Sequence, residues 1–98
     1  MTNILKVVNP YDETEVGNVD LVDENKIEKF LKNAYQLHKN SKSILPAHKR
    51  ISILKKVASL MANDADNLAM LIASEGGKPL IDARVEVARA IDGVETCA

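Results

Sequence analysis

Gly76-Gly77-Lys78 is the stretch of this 98-residue chain that most invites a chemical reading, because a glycine pair before a lysine can wrap a phosphate. A phosphate loop needs a preceding strand, a further glycine five residues before the Gly-Lys pair, and Ser or Thr after the lysine to hold magnesium. Here position 72 is Ile, Pro79 follows Lys78, and the preceding residues read as helix. No Gly-x-Gly-x-x-Gly occurs that could hold a dinucleotide. The glycines therefore read as a joint between two helices. Cys97 could act as a nucleophile only as a thiolate, which a basic partner or a helix N-terminus would favour. It falls instead in the last turn of an expected helix and reads as a small, semi-buried residue. His38 and His48 sit on different expected helices, without the further Cys or His that a metal site needs. Both read as surface or capping residues. Asp82, Glu86, Asp92 and Glu95 recur at helical spacing and could form one acidic edge, but a solvated face is the default reading. From the residues alone, no catalytic, cofactor-binding or metal-ligating position is assigned.

The elements that would position these residues are a β-hairpin over about 4–21 and four helices. "ILKVV" is β-prone, "NPYDET" is turn chemistry in which Asn9 and Asp12 can bond the local backbone, and "EVGNVDL" resumes an alternating pattern. Two strands alone are marginal in water, so this hairpin needs another surface. The first helix is expected over 24–39, capped by Asp23, with Ile27, Phe30, Leu31, Ala34 and Leu37 as its apolar stripe. The second is expected over 46–62, with Pro46 in its first turn and Ile51, Leu54, Val57, Ala58 and Met61 facing a core. The third covers 64–75, capped by Asp64, with Leu68, Leu71 and Ile72 inward. Gly77 ends it in a left-handed conformation. The fourth covers 80–96, opens at Pro79, and turns Val85, Ala88, Ile91 and Val94 toward a core. "GVETCA" is still helix-compatible at Ala98, as expected of an interrupted chain.

Composition narrows the function classes. The apolar share of 46% and charged share of 28% are those of a globular chain. Aromatics make up 3% and Trp is absent, so a core must come from aliphatic residues, and stacking platforms for single-stranded nucleic acid are lacking. Thirteen basic against fourteen acidic side chains give a net charge of −1, which leaves no surplus to neutralise phosphates. Lys39, Lys42, Lys49, Arg50, Lys55 and Lys56 read as solvated helix faces. No run is long enough to cross a membrane, and the N-terminus lacks the pattern of a secretory signal. The single cysteine excludes an internal disulfide. A reducing, cytoplasmic setting is the expectation.

The order of the pieces resembles the N-terminal part of the aldehyde dehydrogenase superfamily. "VVNPYDETEVGNV" matches a strand ending in Asn-Pro, a turn, and a strand with Val-Gly-x-Val. "DENKIEKFLKNA" matches an acid-capped helix. "LPAHKRISILKKVASLM" matches Leu-Pro, an Arg four residues on, and an Ile-Leu helix. Glu75, Gly77, Lys78 and Pro79 match Glu-x-Gly-Lys-Pro, followed by Glu86-Val87. "LHKNSKSI" departs from the Phe and Trp that many members carry there. "LPAHKR" with "ARVEVARAI" is closest in wording to the lactaldehyde and non-phosphorylating glyceraldehyde-3-phosphate dehydrogenases.

The resemblance implies an α+β segment of a larger Rossmann-like cofactor domain. It implies a complete enzyme that uses NAD or NADP to oxidise an aldehyde through a cysteine thiolate. In the family the nucleophilic Cys, the Glu base, the oxyanion-hole Asn and the cofactor residues lie downstream of this region, and Cys97 does not occupy the nucleophile's place. Some members hold a monovalent cation at positions matching Val7, Val8 and Glu86. That ligand set is incomplete here and is not counted a site. Two readings follow. The chain is a scaffolding segment, inactive alone, whose partner is the remainder of the enzyme. Alternatively it is a stand-alone helical interaction module derived from such an enzyme. On the first reading, truncation leaves apolar faces that favour self-association of the isolated chain.

Overall fold

The hairpin turn is built by short polar side chains. In the computed structural model, which describes residues 3–98, strand β1 (Ile4–Val8) pairs antiparallel with β2 (Glu15–Asp20). Asn9 accepts from the Tyr11 amide at 2.9 Å, and Asp12 accepts from the Thr14 amide at 3.1 Å and its hydroxyl at 2.7 Å. These contacts hold Asp12 below the usual carboxylate pKa, chiefly through the Thr14 hydroxyl. The Glu13 amide closes the loop onto the Asn9 carbonyl at 2.8 Å. Glu13 itself takes a φ of 61°, a left-handed conformation that strains a residue with a Cβ. Val7 pairs with Gly17 and Val8 with Glu15, so Val16 is the extra residue of a bulge.

Helix α1 (Glu24–Lys39) begins where Asp23 accepts from the Lys26 amide at 2.8 Å. A one-turn 3-10 helix (Ser41–Ser43) leads to α2 (Ala47–Asn63), then α3 (Ala65–Gly76) and α4 (Leu80–Cys97). Pro46 and Pro79 stand at the N-cap positions of α2 and α4, one place earlier than a first-turn proline, in extended conformation. Asp64 does not cap α3 with its side chain. Only one residue separates α2 from α3, and Asp64 sits near helical geometry (φ −107°, ψ 15°); its carboxylate accepts instead from the side-chain Nδ2 of Asn67, at 2.8 Å.

Helix α4 packs on both α3 and α2, and the core is small. Among the described residues its buried side chains are Ala58, Ala69, Ala83 and Val87. Alanines at the α3–α4 crossing let the two backbones approach closely, with Leu68, Ile72, Leu80 and Ile91 around them. This shifts the phase expected for α4. Its inward stripe is Leu80, Ala83, Val87, Ile91 and Val94, while Val85 and Ala88 face outward. Leu71 is also outward, and Ala69 takes the inner place on α3. Nothing covers α1, none of whose residues is buried.

The result is a slab of 49 × 38 × 15 Å. Fifteen ångströms is little more than one helix diameter of about 10–12 Å. The radius of gyration is 17.7 Å, against about 13 Å for a compact domain of this length. The accessible surface is 8189 Å² for 10.7 kDa, where a folded monomer of that mass shows about 5,500 Å². The excess, about 2,700 Å², includes large side chains on every helix: Phe30 and Leu31 on α1, Leu60 on α2, Met70 on α3 and Ile81 on α4.

Candidate functional site

The most chemically suggestive residues meet at one joint. The Gly77 amide donates to the Ala73 carbonyl at 3.0 Å, ending α3, and its φ is 66°. A Cβ at Gly77 would stand 3.0 Å from Cγ of Pro10. The Asn-Pro turn of the hairpin is thus seated against the glycine joint, although 67 positions separate Pro10 from Gly77 (77 − 10). Glycine is required twice at this position, once for the left-handed backbone and once for the proline ring. Sequence reasoning found the first requirement. The second joins two motifs that nothing local connects.

The Lys78 ammonium bonds the Glu86 carboxylate across the joint. Both side chains are about half exposed, so the pair is worth roughly 0–1 kcal/mol after solvent screening. Its effect is to tie the loop to the second turn of α4. Arg50 explains a further motif. Four residues beyond Pro46, one helical turn brings its guanidinium back to donate to the Leu45 carbonyl at 2.6 Å.

The remaining candidates are dispersed. His38 is in the last turn of α1 and His48 in the first turn of α2. Asp82 and Glu86 line a shallow hollow with Lys78, Val85 and Arg89, whereas Glu95 lines another against Lys55, Ser59 and Ala62 of α2. Asp82 and Glu86 therefore lie on one side of α4 and Glu95 on another, and the acids do not form one edge. Cys97 is exposed rather than semi-buried. At 100° per residue it falls about 80° from the middle of the inward stripe of α4. A further hollow is a groove on the first turns of α1, from Asp23 to Lys32, lined by that helix and its cap alone. Among the described residues, no three His, Cys, Asp or Glu side chains gather in a metal-binding group. No helix among them is long and apolar enough to cross a membrane.

The sequence motifs thus resolve into joints: a turn, a cap, a proline seat, an ion pair. Such a set, in this order, is matched over residues 2–98 by the sequence profile of the Aldehyde dehydrogenase family. The chain belongs to that family. It is 30% identical over 87 residues to the lactaldehyde dehydrogenase of Methanocaldococcus jannaschii, covering 89% of this chain and 19% of that one. It is 33% identical over 94 residues to aspartate-semialdehyde dehydrogenase 1 of Pseudomonas canavaninivorans, covering 96% and 20%. Among solved structures it superposes on aldehyde dehydrogenase 21 from Physcomitrella patens, a complex with succinate, with a TM-score of 0.88 and 28% identity, covering 96% and 19%. It also superposes on the glyceraldehyde-3-phosphate dehydrogenase GapN of Methanocaldococcus jannaschii, complexed with NADP, with a TM-score of 0.84 and 27% identity, covering 94% and 20%.

The chain therefore spans about a fifth of the length of the aldehyde dehydrogenases it matches. The hairpin and four helices are a piece of that larger fold. The lactaldehyde and GapN-type enzymes expected from the wording are among the relatives. A sulfoacetaldehyde dehydrogenase of Neptuniibacter caesariensis matches at the same 30% identity. Identity over this region thus does not sort aldehydes, as expected where the residues form joints and not a substrate pocket.

Proposed function

We propose that these 98 residues are the N-terminal scaffolding segment of an NAD(P)-dependent aldehyde dehydrogenase that oxidises an aldehyde to a carboxylic acid. The observation that carries the reading is the family match over residues 2–98 to proteins about five times as long. The uncovered surface supports it: an excess of about 2,700 Å² is the scale of a large, obligate interface. In this proposal the hairpin and helices pack around the cofactor domain in a cytoplasmic enzyme. The rest of that enzyme supplies the nucleophile, the base and the cofactor site.

The described residues do not fit a dinucleotide. The open side of Gly77, where a phosphate would approach the backbone, holds the Pro10 ring. NAD or NADP is accordingly assigned to the remainder of the enzyme, and the segment alone is assigned no catalysis. Cys97 stands exposed at the end of α4, without the helix N-terminus that would favour a thiolate.

Two measurements test this. The coding DNA beyond codon 98 should continue in frame into a sequence with a cysteine nucleophile and a glutamate base. A stop codon there would turn the assignment to the stand-alone module. The purified chain should reduce neither NAD nor NADP with any aldehyde. Reduction that vanishes in Cys97→Ser would overturn the scaffold assignment.

A further inference from the structure

Helix α1 differs from the other three in burying none of its residues, and its main contact is with the 3-10 turn that follows it. Ile27 is 45% exposed, Phe30 54%, Leu31 60% and Leu37 61%. Sixteen residues is close to the length at which an isolated helix is marginal in water, so packing must supply its stability. At 100° per residue, Ile27, Leu31, Ala34 and His38 fall on a strip about 60° wide, bordered on one side by Phe30 and Leu37.

The flank on the other side is polarised along the helix. Glu24 and Glu28 stand near its N-terminus, Tyr35 and Lys39 near its C-terminus. The Lys39 ammonium is held 5.2 Å from the Tyr35 ring centre, on this same flank. Lys29 and Lys32 point to the back of the helix, about 140–200° from Ile27. Such a flank is complementary to itself when two copies run in opposite directions. A two-fold axis near Leu31 sets Glu24 and Glu28 of one copy against Lys39 of the second. Lys26, on the opposite flank, then meets Asn33 and Leu37, and no like charges oppose.

We infer that the 98-residue chain, free of other segments, forms an antiparallel dimer of second copies through the apolar face of α1. The excess surface far exceeds the roughly 800 Å² that each partner buries in a standard interface. One helix face of this length supplies the lower end of that range, so association in the micromolar range is expected. The pairing does not depend on the scaffold assignment, because it concerns only the chain on its own.

Sedimentation velocity on the full 98-residue chain, from low to high micromolar concentration, tests it. A reversible monomer–dimer equilibrium is expected. Leu31→Glu should weaken it at least about tenfold with the monomer's helicity kept, since Leu31 is in no core. Glu28→Lys should weaken it several-fold, and adding Lys39→Glu in the same chain should restore it. A monomer at every concentration would overturn the inference. So would a dimer indifferent to Leu31→Glu, or a double variant no tighter than Glu28→Lys alone.

Discussion

Gly77 is where the account is most exposed to a single substitution. Replacing it by Ala places a side chain on a backbone with φ 66°, which costs about 1–2 kcal/mol for an L-residue. The new Cβ would also stand 3.0 Å from Pro10 Cγ, closer than ordinary carbon contact, so the proline ring or the hairpin must shift. The two costs separate in a double-mutant cycle. With Pro10→Ala in place the nearest ring atom is gone, and only the backbone strain of Gly77→Ala should remain. We expect Gly77→Ala to cost about 2 kcal/mol in the parent and about 1 in the Pro10→Ala background, a coupling of about 1 kcal/mol. Gly77→Val should cost more than either, because a β-branched side chain fits the left-handed region worst. Urea unfolding followed by helical circular dichroism gives the four free energies. A near-neutral Gly77→Ala would refute the strain argument. Strict additivity with Pro10→Ala would refute the contact that joins hairpin to helices.

Asp23→Ala removes the acceptor for the Lys26 amide and should cost α1 about 1 kcal/mol, seen as lost helicity before the α3–α4 pair unfolds. Lys78→Ala breaks an exposed ion pair and should change stability by less than about 1 kcal/mol, with no effect on any nucleotide titration. Asp12 should make the hairpin turn sensitive to acid. Its folded pKa lies below its unfolded value, so its contribution is present above the unfolded value near 3.8 and is lost as pH falls through the folded one. Amide exchange at Thr14 should accelerate over that acid window, and Asp12→Asn, which keeps an acceptor but does not titrate, should abolish the dependence.

Local chemistry was legible in the sequence where one residue settles one geometry. Asp23 caps α1, Asn9 and Asp12 shape the hairpin turn, and Gly77 ends α3 because nothing beyond neighbouring atoms decides these outcomes. The hairpin-plus-four-helices order followed from the same signals. What stayed hidden was set by partners distant in sequence. The inward stripe of α4 follows small alanines, Ala69 and Ala83, whose burial depends on how closely two helices cross. Alanine suits either face, so periodicity alone favoured Val85, which lies outside. Asp64 failed as a side-chain cap because α2 and α3 are nearly continuous, a property of the joint and not of the residue. The seat of Pro10 on Gly77 had no local signal at all. The uncovered face of α1 is the plainest case: its apolar stripe was legible, but that none of its residues is buried within the chain was not.

The central claim is that this chain is a scaffold whose covering surface belongs to the rest of an aldehyde dehydrogenase. Hydrogen exchange on the purified chain, at a concentration low enough to keep it monomeric, tests that claim most directly. The account predicts slow exchange only around Ala69, Ala83 and Val87, with α1 and the strand residues Val7, Val8, Val16 and Val19 exchanging quickly, as two strands without a covering layer must. Strong, uniform protection of hairpin and α1 in a monomer would contradict it, and would make these residues a self-sufficient domain.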